Sequence, residues 1–179
     1  MALKSTIYKV LLHVSDMSRS HYAQYPLTLA RHPSETEERL LMRVLAFALC
    51  AHERLRFGAG LSAAEEPDLL LEDYSGAITH WIEVGLPEPR WIAKALSKSD
   101  RVTVLVFGGN LDRWFKSLEE HFPRRSEMTR LEVIVAEAAE PLALQRLAAR
   151  NLELSCTIDD GQAWLTGPSD TVTFTVTRR

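Results

Sequence analysis

The sequence predicts one α/β domain: a mixed β-sheet flanked by helices, with the terminal strands forming or extending a second sheet. Three observations carry this fold class. A long helix pattern follows two strand-like runs near the N-terminus. The middle of the chain alternates short apolar strands with amphipathic helices, the order of a sheet covered by helices. From Leu152 onward the pattern becomes purely β. At 179 residues, with 46% hydrophobic and 25% charged residues, the chain fits a single domain over 1–179 with a sizeable core.

Thr6 to Val14 is rich in β-branched and aromatic residues and reads as a strand. Asp16 to Ser20 is a polar turn, and Tyr22 to Ala30 completes a hairpin. Ser34-Glu35-Thr36-Glu37 has the capping-box form, with Ser34 as the cap. The helix it opens should run to about Leu55, since Leu41, Val44, Leu45, Ala48 and Leu55 share one face. Glycines after Phe57 end it, and an acidic linker follows over Leu61 to Glu66. Pro67 to Leu71 is a short extended segment, Asp73 to Gly76 a turn, and Ala77 to Val84 a strong strand. Gly85 to Pro89 breaks the chain before a helix over Arg90 to Ser97. The uncharged run Val102 to Phe107 is typical of a strand covered on both faces. A helix over Leu111 to Phe122, a strand over Leu131 to Ala136 and a helix over Pro141 to Arg150 follow. Leu152 to Ile158, Gln162 to Thr166 and Thr171 to Thr177 form a meander joined by Asp159-Asp160-Gly161 and Gly167-Pro168.

The net charge of -3 argues against a globally basic nucleic-acid binder, although a local basic face is compatible with it. Cys50 and Cys156 both sit in apolar patterns and read as buried free thiols of a reducing compartment. No Cys/His spacing resembles a zinc site. The first residues lack the apolar core of a signal peptide, and no apolar run approaches the ~20 residues that span a bilayer. A cytoplasmic protein without membrane contact is expected, with a monomer as the favoured state.

Four residues are candidates for chemistry. Glu38 lies three residues before Leu41 and seven before Leu45, on the inward helix face. A carboxylate there is costly unless paired or metal-bound. Compensation of the helix dipole is the plainer explanation for Glu35, Glu37 and Glu38 together. Asp68 follows Pro67, a stiff entry to a strand end, or simply a loop dipeptide. Glu83 shares a strand face with Trp81, so both faces of that strand are covered and an unpaired carboxylate is expensive. A salt bridge is the alternative to a functional role. A hairpin from Pro67 to Glu83 would bring Asp68 and Glu83 together.

Convergent carboxylates suit Mg²⁺, a hard cation that takes oxygen ligands, lowers the pKa of a bound water and stabilises charge on phosphate. Lys94, beside Trp91 on the next helix, is the candidate ammonium; a solvated surface lysine is its plainer reading. Ser34 is explained by capping, His80 as a core or edge histidine, and His32 as a loop residue. Arg90 and the Arg124-Arg125 pair are short basic spots. No dinucleotide, Walker or nucleophile-elbow motif is present.

Pro67-Asp68, a turn, and Glu83 in a strand resemble the PD-(D/E)XK nuclease motif, with Glu38 as the acidic residue that often precedes it. More specifically, the chain is similar to the YaeQ family nearly end to end. The matching strings are Met1 to Lys4 with Thr6 to Lys9, Leu27 to Glu35, Glu53-Arg54-Leu55, and Trp81 to Pro87. The resemblance implies a compact restriction-endonuclease-like core and an acidic, polar pocket. It implies no established reaction. The motif wants lysine two residues after the glutamate, where this chain has Gly85. Lys94 could be a migrated substitute.

Two functions compete on these grounds. One is a Mg²⁺-dependent nuclease, with the metal on Asp68, Glu83 and Glu38 and the water positioned by Lys94. The other is a non-catalytic module on a degenerate nuclease scaffold that binds a nucleic acid or a protein. Purely structural ion pairing of the carboxylates is the third alternative.

Overall fold

The computed structural model describes residues 5–58 and 66–179. Among these, ten strands form one continuous mixed sheet that is nearly closed into a barrel, with four α-helices. The chain opens with the hairpin β1 (Thr6–Asp16) and β2 (His21–Arg31), paired antiparallel over their full length. Helix α1 (Glu37–Leu49) follows, then β3 (Arg56–Phe57), β4 (Leu69–Glu72) and β5 (Ile78–Val84). Next come α2 (Pro89–Lys98), β6 (Arg101–Val106), α3 (Leu111–His121), a short 3-10 turn (Arg125–Met128) and β7 (Leu131–Ala138). Helix α4 (Ala143–Leu147) leads into the meander β8 (Asn151–Asp159), β9 (Gln162–Thr166) and β10 (Thr171–Arg178).

The strand order is β2-β1-β8-β9-β10-β7-β6-β5-β4-β3. Strands β5, β6 and β7 run parallel, as do β1 and β8; the other neighbours are antiparallel. The expected second sheet is therefore a correction. Parallel pairing of Lys9–Asp16 with Asn151–Ile158 stitches the N-terminal hairpin to the meander, and Phe174–Arg178 on Ala138–Ile134 stitches the meander to the central strands. Both seams join alternating strands whose apolar faces need the same core, so one curved sheet buries more than two separate ones would.

That core surrounds α1. Every residue from Leu40 to Leu49 is buried, Arg43 included. The inward faces of β1, β8, β9 and β10 (Val10, Leu12, Leu154, Leu165 and Phe174 among them) pack against the helix, with α4 closing one side. A second core lies on the other face of β5, β6 and β7, where Trp81, Val102, Val104 and Val133 meet Ile92 of α2 and Trp114 and Leu118 of α3. Strand β5 is thus covered on both faces, as the sequence implied.

Helix α1 departs from expectation at both ends. Its cap is Thr36, whose hydroxyl accepts from the Arg39 amide at 3.1 Å, while Ser34 bonds the His32 ring at 2.6 Å. Thr36 wins because it is the last extended residue before the helical backbone begins. The helix stops at Leu49 rather than Leu55. Its last carbonyls are taken by guanidiniums: Arg19 donates to Ala48 and Ala51, and Arg178 to Leu49. The chain then turns to begin β3. Helix α4 is shorter than Pro141 to Arg150 because Ala148 leaves the helical region and β8 begins at Asn151. The acidic linker over Leu61 to Glu66, all but Glu66, and the Met1 to Lys4 string lie outside the described residues.

Candidate functional site

The hairpin β4–β5 places Leu69 opposite Ile82, so Asp68 and Glu83 are adjacent at the end of β5. Asp68 is buried at 3% exposure. Its Oδ2 accepts from the Val84 amide at 2.9 Å and from Arg39 Nη2 at 2.7 Å. Its Oδ1 lies 3.5 Å from Arg43 Nε. The same Arg39 nitrogen donates to the Val84 carbonyl at 3.1 Å. One guanidinium therefore bridges a carboxylate and a backbone carbonyl at the mouth of the β5 strand end.

Behind it lies a buried network. Glu35 accepts from Arg39 Nη1 at 2.7 Å and pairs with Arg43 Nη1 at 3.3 Å. Arg43 also donates to the Ala30 carbonyl and stacks its guanidinium 5.3 Å from the Phe57 ring. Burial disfavours the charge on Arg39, but Asp68 and Glu35 outweigh it and hold the guanidinium above its ordinary range. Two arginines and two carboxylates, Glu35 and Asp68, balance one another.

Glu83 is the third carboxylate, and the charge balance leaves it without a cation of its own. Burial raises its pKa to about 8, the Asp68 charge adds to that, and the Trp81 indole and Arg39 oppose it. The Trp81 indole N–H donates to Glu83 Oε1 at 2.7 Å. At neutral pH Glu83 is a protonated acid.

The other predicted residues are Glu38 and Lys94. Glu38, half-buried, lines a depression of about 300 Å³ with Met42, Phe107, Gly108, Leu144 and Phe174, which neither Asp68 nor Glu83 lines. Lys94 lies with its ammonium 5.0 Å from the centre of the Trp91 ring, whose surroundings also include Arg90 at 5.5 Å. The cation acting on Glu83 is Arg39. Among the described residues no group of three or more His, Cys, Asp or Glu side chains is placed to hold a metal ion. The Asp68–Glu83 pair fits Mg²⁺ poorly as arranged: Asp68 Oδ2 is taken by Arg39 and the Val84 amide, and Glu83 Oε1 by Trp81.

Gly85 has a backbone reason. Its φ is +108°, a conformation that L side chains rarely adopt, so the lysine of the resemblance motif could not occupy this position without strain. Sequence reasoning missed Arg39, Arg43 and the burial of Glu35. The signal was present: Glu35, Arg39 and Arg43 recur every fourth residue, and Arg43 interrupts an apolar run.

His80 is half-buried on β5, bonded to the Thr103 hydroxyl at 2.7 Å. Burial, with the nearby Arg101 charge, lowers its pKa to about 4, so it is neutral at physiological pH. The thiols of Cys50 and Cys156 are pushed by burial up to about 11 and about 12, which makes both poor nucleophiles.

A family model described as YaeQ protein matches residues 1–176. An uncharacterized YaeQ protein of Salmonella typhi is 39% identical over 166 residues, 92% of this chain and 90% of the relative. Its counterpart in Escherichia coli (strain K12) is 35% identical over 178 residues, 99% and 97% of the two chains. The crystal structure of a YaeQ protein from Xanthomonas axonopodis pv. citri superposes with a TM-score of 0.89 at 39% identity, covering 98% of each chain. That of a YaeQ protein from Pseudomonas syringae gives 0.86 at 29% identity, covering 97% of this chain and 95% of the other.

Proposed function

The chain belongs to the YaeQ family, and on that premise we propose that it is a nucleic-acid-binding module on a nuclease-like scaffold, acting without hydrolysis. The observation that supports this reading is the Arg39 guanidinium between Asp68 Oδ2 and the Val84 carbonyl. A carboxylate and a carbonyl are the hard oxygen donors a divalent cation would use. Here a fixed side-chain cation takes them, leaving Glu83 as a neutral acid. Exposed Arg90 and half-buried Lys94, flanking Trp91 on α2, combine cations and an aromatic ring on the helix that follows β5. Such a combination suits single-stranded phosphate backbones and stacked bases. Because the chain is acidic overall, binding of this kind is local.

Fluorescence anisotropy with short single-stranded DNA and RNA tests the reading. Binding should weaken steeply with salt and fall about fivefold or more in Arg90→Ala/Lys94→Ala. No strand cleavage should appear with Mg²⁺ or Mn²⁺. An absence of binding would sink the proposal and turn attention to a protein partner.

A second reading, Mg²⁺-dependent phosphodiester hydrolysis, is favoured by one observation: Asp68 and Glu83 are adjacent across the β4–β5 hairpin, and burial with the Asp68 charge raises the pKa of Glu83 to about 8. It requires Arg39 to withdraw from the pair. Cleavage by wild-type protein that disappears in Glu83→Ala would establish it over the first.

A further inference from the structure

We infer that the cavity at the C-terminal end of α1 is a second binding site, for a small phosphomonoester whose phosphate meets Arg101 and Arg178 and whose apolar body lies on Leu71, Ile158 and Val176. The cavity measures about 670 Å³ and lies at the opposite end of α1 from Asp68 and Glu83. That volume is within the range of small-molecule sites, which combine an apolar lining with a few convergent polar groups.

The argument rests on how the cations there are partnered. Arg19 is consumed: its Nε is 2.6 Å from Asp16 Oδ2, and its terminal nitrogens take the carbonyls of Ala48 in α1 and of Ala51 just past its end. Arg178 gives Nη2 to the Leu49 carbonyl and shares one carboxylate with Arg101. Arg101 Nη2 is 2.5 Å from Glu132 Oε2, and Arg178 Nη1 is 2.9 Å from Glu132 Oε1. Two guanidiniums on one carboxylate leave one positive charge in excess. Arg101 uses a single nitrogen in that contact, so most of its five donors remain to be offered. Both arginines line the cavity and are about half exposed, at 52% and 42%.

Two features oppose an anion here. The C-terminus of a helix carries partial negative charge, and exposed Asp160 lines the same cavity. The first is offset where Arg19 and Arg178 already cap the carbonyls. The second sits in the β8–β9 turn, where water screens it. A dianionic phosphate with bidentate geometry matches paired guanidiniums better than a carboxylate does. Leu71, Ile158 and Val176 supply the apolar wall that free phosphate would leave uncovered.

Phenyl phosphate, inorganic phosphate and phenol separate the contributions, titrated by calorimetry into the full-length protein. Phenyl phosphate should bind saturably, about tenfold more tightly than inorganic phosphate, and phenol should not bind measurably. Arg101→Ala removes only a half-exposed ion pair and should fold as wild type. It should weaken phenyl phosphate about tenfold, with Arg101→Lys recovering part of the loss. Absence of saturable phenyl phosphate binding, affinity no better than that of inorganic phosphate, or equal affinity in Arg101→Ala would each overturn the inference.

Discussion

Glu35→Ala should destabilise the protein by about 3–5 kcal/mol, the largest effect expected of any single carboxylate here. The Glu35 side chain is fully buried, as is that of Arg43 with which it pairs. Removing the carboxylate leaves Arg43 in the core with only Asp68, at 3.5 Å, to oppose its charge. It also takes away the Arg39 Nη1 partner at 2.7 Å. Glu38→Ala, three residues on and in the first turn of α1, should change stability by no more than about 0.5 kcal/mol, because Glu38 is half-buried and makes no ion pair among the described residues. Urea unfolding of the two variants measures the contrast. Equal effects would mean that the network does not carry the charge of Arg43.

The second large effect is on pH dependence. The pKa of Glu83 is raised in the folded protein to about 8, above the ordinary glutamate value of 4.5. Between those values the folded chain holds a proton that the unfolded chain has released. Stability therefore declines as pH rises through this window, by about 1.4 kcal/mol per unit, and levels off above it. His80 acts in the opposite sense. Its folded pKa is about 4 against 6.5, so the unfolded chain takes up a proton first and stability declines as pH falls from 6.5 towards 4. From these two groups the profile is nearly flat between about 4.5 and 6.5, then falls between about 6.5 and 8. Glu83→Gln keeps the shape, puts a hydrogen-bonding amide in place of the carboxylic acid and removes the titration. In that variant the decline above 6.5 should vanish, and stability should instead rise with pH from about 4 to 6.5 on account of His80. Chemical denaturation across pH measures both limbs. A decline above 6.5 that persists in Glu83→Gln would remove the protonated acid from the account.

Much of the layout was legible because it depends on local pattern. The strand Ala77 to Val84 was readable from its β-branched and aromatic residues, and Trp81 on its second face correctly implied cover on both sides. Asp68 and Glu83 could be paired because a short hairpin constrains register. The single curved sheet was not legible. Its two seams, β1 with β8 and β10 with β7, join segments far apart in the chain, and no local signal records such pairings. The end of α1 was misjudged for a related reason: Arg19 and Arg178 cap its carbonyls from distant strands, so the stop is tertiary and not written at Leu49. Glu38 stands out in the sequence because its spacing to Leu41 and Leu45 puts it on the inward helix face, while Glu35, with Ser34 read as the cap two residues early, looks like dipole compensation. With Thr36 as cap, Glu35 lies before the helix and folds back onto Arg39 and Arg43. Lys94 takes its candidacy from the missing motif lysine, and the cation bonded to Asp68 is Arg39, from the helix inside the sheet.

The account turns on Arg39 serving as the cation of the Asp68–Glu83 pair. A Mn²⁺ titration at pH 7, followed by calorimetry in buffers of differing ionisation enthalpy, tests it most directly. The prediction is no stoichiometric binding and no proton release in wild type, with Glu83→Gln indistinguishable. Stoichiometric Mn²⁺ uptake that releases a proton, and that Glu83→Gln abolishes, would contradict it and return the pair to metal chemistry.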